Sequence, residues 1–194
     1  MKSGRRALGI AESYRGTDDD HARSTLAGAV VRADRAVDDF VFGACTVGGR
    51  DATEAIIDCW QRLDRPDVQY CFLAGIAPAW YNIVDVEAVA EAIDRPVIAV
   101  SFEESEGLGD AIREAFEGEE RRRRLDAYGA LPERRRIEAG SDGGDLFVRS
   151  VGLDAETTET VVRAYTHERR PEPLRVAKRA ARRADAARDV FRRD

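Results

Sequence analysis

Lysine is almost absent from this chain: Lys2 and Lys178 are the only two among 194 residues, and all other basic charge is arginine. Few lysines beside 37 acidic residues is the composition of a salt-adapted proteome, where an acidic surface is ordinary. Also missing is any apolar run near the roughly 20 residues that a membrane span needs. The opening MKSGRRALGI has no signal-peptide apolar core, so the expected location is the cytoplasm, with no membrane partner. No C-x-x-C occurs, which excludes a disulfide framework and a structural zinc site and leaves Cys45, Cys59 and Cys71 as buried, reduced thiols. His21 and His167 are not paired at ligand spacing, which argues against a histidine-based metal site. With no internal repeat and no long linker, one domain spanning residues 1–194 is expected, large enough to bury a substantial core.

The net charge of −6 argues against a general nucleic-acid binder, but the charge is unevenly spread. Residues 1–118 carry 12 basic and 22 acidic side chains, whereas residues 119–194 carry 19 basic and 15 acidic. The basic final third stands out against the acidic front, although a charge run most often forms a solvated face.

Three β-like runs come first: Ala7–Ser13, Ser24–Ala33 and Val37–Cys45, the last two joined by a tight turn at Asp34-Arg35. GTDDDH reads as a surface loop. After Gly48-Gly49 the period becomes helical, with Ala52, Ala55, Ile56, Cys59, Trp60 and Leu63 on one face and Asp51 and Glu54 as a capping-box-like start. A strand at 69–75, the loop IAPAWYN, a helix from about Val84 to Ile93 and a strand at 96–102 follow. Helical segments around Asp110–Phe116 and Glu120–Tyr128, a flexible loop at 138–144 and a strand at 146–151 come next. A helix from about Asp154 to Tyr165 and a last helix from near Pro173 complete the pattern. A three-strand meander followed by alternating helices and strands is the order of an α/β, ribonuclease H-like mixed sheet. Ala7–Ser13 is expected centrally in it, between the second strand and the strand at 69–75, because both faces must be buried.

Several constellations could carry chemistry. Gly48-Gly49-Arg50-Asp51 offers backbone N–H groups at a helix start, but it lacks the Lys-Ser/Thr of a P-loop and Asp51 would repel phosphate. An ordinary cap is the plainer reading. Glu12 is the only acid on the first strand, and Asp85 follows the strand at 69–75 across a short loop. Together they are candidate catalytic residues and ligands for Mg2+, which prefers oxygen donors. The alternatives are a solvent-facing strand end for Glu12 and a helix cap for Asp85. Trp80 and Tyr81 stand where α/β ligand sites gather and could stack on an exposed base, with core packing as the alternative. Arg175 and Lys178, three apart on the last helix, are candidate phosphate contacts. The competing reading pairs Arg175 with Glu172.

The stretches "LGIAESYRG", "TVGGRDATEAI", "LAGIAPAWYNIVDV", "RPVIAVSFEE", "LFVRSVGLD" and "RPEPLRVAKRAAR" occur in that order. Together they resemble an archaeal family related to endonuclease V, with deoxyuridine-directed endonuclease activity assigned to its members. The resemblance implies an endonuclease V-like fold, magnesium dependence and deaminated DNA as substrate. It also exposes departures. Ala11 stands where endonuclease V has a metal-binding aspartate, Ala74-Gly75 where it has Asp-Gly, and Lys178 where it has a His or Asp near the metal. If the site is rebuilt, Glu12 must do the work of the missing aspartate. Strand neighbours face opposite ways, so it would need a bulge near Ser13 or a reach around the strand end. The competing expectations are therefore a magnesium-dependent endonuclease, a nucleic-acid-binding module of the same fold without catalysis, and an interaction scaffold. Three or more carboxylates converging at the sheet end would favour catalysis.

Overall fold

Small and apolar residues fill the first two strands, and burial on both faces is what they permit. The computed structural model describes residues 2–16, 23–102, 104, 107–138 and 144–191. Among them the strands are β1 (Arg6–Ser13), β2 (Arg23–Arg32), β3 (Val37–Thr46), β4 (Val68–Ala74), β5 (Val97–Ser101), β6 (Arg135–Glu138) and β7 (Asp145–Val151). They form one sheet in the order β3-β2-β1-β4-β5-β7-β6. β1, β2 and β3 are an antiparallel meander, β1, β4 and β5 run parallel, and β7 and β6 extend the far side antiparallel. This is a ribonuclease H-like mixed sheet. β1 lies between β2 and β4 as expected, with Gly9 opposite Ala29 on one side and Phe72 on the other.

The helices are α1 (Ala52–Leu63), the single turn α2 (Pro78–Tyr81), α3 (Val86–Ile93), α4 (Gly109–Ala115), α5 (Gly118–Gly129), α6 (Ala155–Tyr165) and α7 (Glu172–Phe191). Alternation along β1 separates two cores. Leu8 and Ile10 meet Ile56 and Cys59 of α1 and Val86 and Val89 of α3. On the opposite face Ala7 joins Phe72, Ile98, Val161, Tyr165 and Leu174, while Ala11 packs with Ala29, Val31 and Ala177. Each large apolar side chain buried this way contributes about 1.5–3 kcal/mol.

The β2–β3 hairpin closes as expected, with Ala36 N–H bonded to the Asp34 carboxylate and Arg35 at φ 72°. Three local expectations are corrected. Asp51 precedes α1, but its side chain makes no capping bond to that helix. The helix near Val84 begins at Val86, because Asp85 caps it by accepting from Ala88 N–H at 2.9 Å. Arg135–Glu138, left without structure by the sequence pattern, forms β6, where Ile137 alone is buried and the periodicity is correspondingly faint. Most of the GTDDDH loop (residues 17–22, with His21) and residues 139–143 of the 138–144 loop lie outside the described residues.

α7 lies directly on β1. A Cβ on Gly9 would stand 2.3 Å from the Pro173 carbonyl carbon, so only glycine lets the helix backbone approach this closely. Gly9→Ala should therefore cost about 2 kcal/mol or more in a denaturant titration, since neither backbone can yield. Gly129→Ala, at an exposed site with nothing within 4 Å, should be neutral or stabilising. Equal effects of the two substitutions would refute the close-approach account.

Candidate functional site

β1 runs in regular register to its end, with Glu12 opposite Leu26 and Ser13 opposite Thr25. No bulge turns Glu12 toward the Ala11 face. It keeps the parity of Leu8 and Ile10, and its Oε2 accepts from Ala79 N–H at 2.7 Å and from Ser24 Oγ at 2.8 Å. Ala79, Trp80 and Tyr81 have φ of 50°, 58° and 57°, three consecutive left-handed residues with no glycine among them. Such backbone costs about 1–2 kcal/mol per residue and persists only where its surroundings dictate it.

The surroundings here are specific. Ala79 O accepts from Gly48 N–H at 2.7 Å, and Asn82 N–H bonds Pro78 O at 3.1 Å. Asn82 is fully buried; its amide donates to Thr46 O at 2.9 Å and to Asp51 Oδ1 at 2.8 Å. The same side chain accepts from Ala52 N–H at 3.0 Å, so Asn82, not Asp51, caps α1. Asp51 is turned back onto Thr46, accepting from its N–H at 2.9 Å and its hydroxyl at 2.8 Å. Burial pushes the Asp51 carboxyl up, but hydrogen bonds from Thr46 and Asn82 outweigh it and leave the group below the ordinary carboxylate value. With Gly48 and Gly49 N–H bonded to Ala79 O and Thr46 O, the glycine turn holds α2 and is not an anion cradle.

This scaffold presents an aromatic cluster. Trp80 is 37% exposed. Its ring lies 4.9 Å from Phe116 and 5.9 Å from Tyr81. Behind them the buried Arg124 guanidinium sits 4.0 Å over Phe116 and donates to Gly48 O. A Cβ on Gly48, at φ +65°, would come within 2.8 Å of Trp80. The arginine-rich α5 is thus anchored through one inward arginine that sequence reasoning did not single out; its only signal was a charged residue within a helix otherwise poor in apolar positions.

Glu12, Trp80 and Tyr81 line a cleft of about 850 Å³ at the carboxyl ends of β4 and β5, with Arg134, Arg149, Arg169, Arg170 and Arg175 along its other walls. Asp145 and Glu168 are the other acids in the lining. Arg170 stacks 4.3 Å over Phe102 and Arg149 5.5 Å over Tyr128. Arg175 is ion-paired with Glu172 at 2.7 Å, the competing reading for that residue, while still facing the cleft. Lys178, half-buried one turn further along α7, is not among the residues lining the cleft. Burial pulls its amine below the ordinary lysine value, the Glu12 charge opposes that, and Arg182 and Arg170 reinforce it.

The cleft therefore assembles Glu12, Tyr81 and Arg175 but not Asp85, which is exposed, caps α3 and does not line it. Among the described residues no group of three or more His, Cys, Asp or Glu side chains could hold a metal ion. Glu12 is engaged through Oε2 by an N–H and a hydroxyl. This donor set does not fit a magnesium centre. The cysteines are buried, and burial pushes Cys45 and Cys71 up to about 12, as expected of inert thiols.

Asn82→Ala should destabilise the fold by about 2–3 kcal/mol, because it leaves the buried Ala52 N–H unpaired. Asp51→Asn tests the carboxylate: with a folded value below the unfolded value of about 4, its stabilisation is present above that pH and disappears as pH falls through the folded value. The deficit of Asp51→Asn in thermal unfolding should accordingly be largest near pH 7 and shrink toward pH 2. A deficit independent of pH would contradict it.

Comparison with known proteins agrees with this fold. A crystal structure of a protein of unknown function from Archaeoglobus fulgidus superposes with a TM-score of 0.77 at 26% identity, over 91% of this chain and 96% of that one. Ciona intestinalis endonuclease V, in complex with DNA containing an inosine, superposes with a TM-score of 0.62 at 15% identity, over 94% of this chain and 86% of that one. A UPF0215 protein of Pyrobaculum calidifontis is 34% identical over 176 residues, 90% of this chain and 93% of its own length. The family model for endonuclease dU matches residues 3–184, and the chain belongs to that family.

Proposed function

We propose that this protein binds DNA carrying deaminated bases, deoxyuridine first among them, by taking an extruded nucleotide into the cleft beside Glu12. The observation that carries this reading is the lining of one cleft by a rigidly mounted, exposed Trp80 together with Arg134, Arg149, Arg169, Arg170 and Arg175. A cleft of 850 Å³ lies within the roughly 300–1,000 Å³ of small-ligand sites. It admits a nucleotide and not a duplex. A base entering it can stack on Trp80 or Tyr81, while Arg169, Arg170 and Arg175 face the phosphates that flank it. A deaminated base sits in a weakened pair, which makes extrusion cheaper and supplies part of the selectivity. Support also comes from the fold neighbour bound to inosine-containing DNA and from the family's name. Glu12 is held through Oε2 and no group of three metal-ligating side chains occurs among the described residues, so the reading is one of binding.

The test is fluorescence anisotropy with labelled oligonucleotides containing deoxyuridine, inosine or neither, in high salt so that the acidic front is screened. Deoxyuridine DNA should bind more tightly than undamaged DNA, and Trp80→Ala should weaken it by about tenfold or more. Arg175→Ala should lower the slope of log affinity against log salt by about one. Equal affinity for all three oligonucleotides would overturn the deaminated-base reading. Magnesium-dependent cleavage at deoxyuridine, abolished by Glu12→Gln, would replace it with that of a hydrolase.

A further inference from the structure

We infer that Glu12 reads the extruded base: its second carboxylate oxygen, Oε1, accepts from the ring N–H that deamination creates, N3–H of uracil or N1–H of hypoxanthine. This rests on the DNA-binding reading above and deepens it by naming a specificity-determining residue. The reasoning starts at the two carboxylate oxygens. Oε2 takes both hydrogen bonds that Glu12 makes among the described residues, from Ala79 N–H at 2.7 Å and Ser24 Oγ at 2.8 Å. Both donors belong to buried residues, so Oε2 is the inner oxygen. Glu12 itself is partly exposed and lines the cleft, which leaves Oε1 as the outer one. The two bonds at Oε2 fix the carboxylate, and Oε1 is an acceptor held in place before any ligand arrives.

The acceptor and the stacking surface stand one residue apart. Ala79, whose N–H holds Glu12, is followed directly by Trp80, the exposed ring of the same cleft. A base laid on that ring turns its edge to the surrounding wall, and Glu12 is part of that wall. Extruded bases are read on this Watson–Crick edge. Cytosine and adenine present there a ring nitrogen lone pair beside an amine. Deamination puts a proton on the ring nitrogen and replaces the amine by a carbonyl. A carboxylate accepts and cannot donate, so it gains a charge-assisted bond from the deaminated base and meets a lone pair in the parent. The new carbonyl wants a donor, and arginines supply donors around the cleft, where Asp145 is already paired with Arg136 at 2.7 Å. Oε2 being taken, Glu12 offers a single acceptor, which suits the single N–H of uracil or hypoxanthine and not the two-donor edge of guanine. Thymine keeps its N–H within a full-strength pair, and the cost of extrusion filters it out.

Single strands isolate this reading, because they remove the contribution of a weakened pair. The experiment is fluorescence anisotropy of the full chain in EDTA and high salt. The probes are deoxyadenosine strands with one central deoxyuridine, deoxycytidine or 3-methyldeoxyuridine. Wild type should bind the deoxyuridine strand about tenfold or more tightly than the other two, which lack the donor. Gln at position 12 keeps an oxygen for Ala79 N–H and turns an amide N–H toward the base, so Glu12→Gln should abolish or reverse the preference. A preference that survives Glu12→Gln, or 3-methyldeoxyuridine bound as well as deoxyuridine, would overturn the inference. So would a preference of wild type for deoxycytidine, which would mean recognition of the amine. Each of these leaves the DNA-binding reading intact. No binding of any strand, single or duplex, would overturn that reading and this inference with it.

Discussion

The hydrogen bond from Ala79 N–H to Glu12 is the constraint on which the cleft depends. Three consecutive left-handed residues without glycine would relax unless each neighbouring polar group were already matched. Glu12 takes the N–H of Ala79, Gly48 donates to its carbonyl, and Asn82 ties the turn's exit to Thr46, Asp51 and the first N–H of α1. The result is an aromatic pair that leaves the core and stands at the sheet end in a fixed orientation. Glu12 holds backbone in this state through a single carboxylate oxygen, Oε2. Glu12 and Asp51, which sequence alone offers as a metal ligand and a helix cap, are both supports for one strained turn.

A second constraint acts from the other face. β1 has to be narrow at Gly9 and Ala11 for α7 to lie on it, and that approach brings the helix's charged residues to the end of the sheet. Further along, the same helix buries Asp185, which accepts from Ser13 and Thr25 hydroxyls at 3.3 and 3.0 Å and pairs with Arg15 at 2.5 Å. The end of β1 is fixed by the buried Asp185 carboxylate, which is matched by two hydroxyls and by the exposed Arg15, the form in which burial of a charge is tolerable. Packing and electrostatics are thus coupled along α7: its small residues set the distance, and its charged ones are delivered to the cleft by that distance.

Much of the fold was legible because it follows from alternation and period. Small, apolar runs at Ala7–Ser13 and Ser24–Ala33 demanded burial on two faces, and only the centre of a sheet offers that. The last helix from near Pro173 was equally plain, and Leu174, Ala177 and Ala181 are buried on it. β6 was not, since a polar edge strand with one buried residue carries no period. The site was legible only in part. Glu12, Tyr81 and Arg175 do meet, yet the bond that gives Glu12 its role runs to a backbone N–H 67 positions away. No spacing rule reports such a contact. Asp85 read as a ligand because of its place after β4, while its partner is the N–H three residues on. Asn82 gave no signal at all, as a buried amide looks in sequence like any loop asparagine.

The departures that the resemblance to endonuclease V implies at Ala11, Ala74 and Lys178 make one physical sense when taken together. Carboxylates gathered for metal ions repel one another until the ions arrive, so such a site costs stability when empty. Replacing two acids by alanine and the third ligand by lysine removes that repulsion, and the cost with it. The inward face of β1 can then be packed as core, as Ala11 is against Ala177. Glu12, on the opposite face of the strand, organises backbone instead.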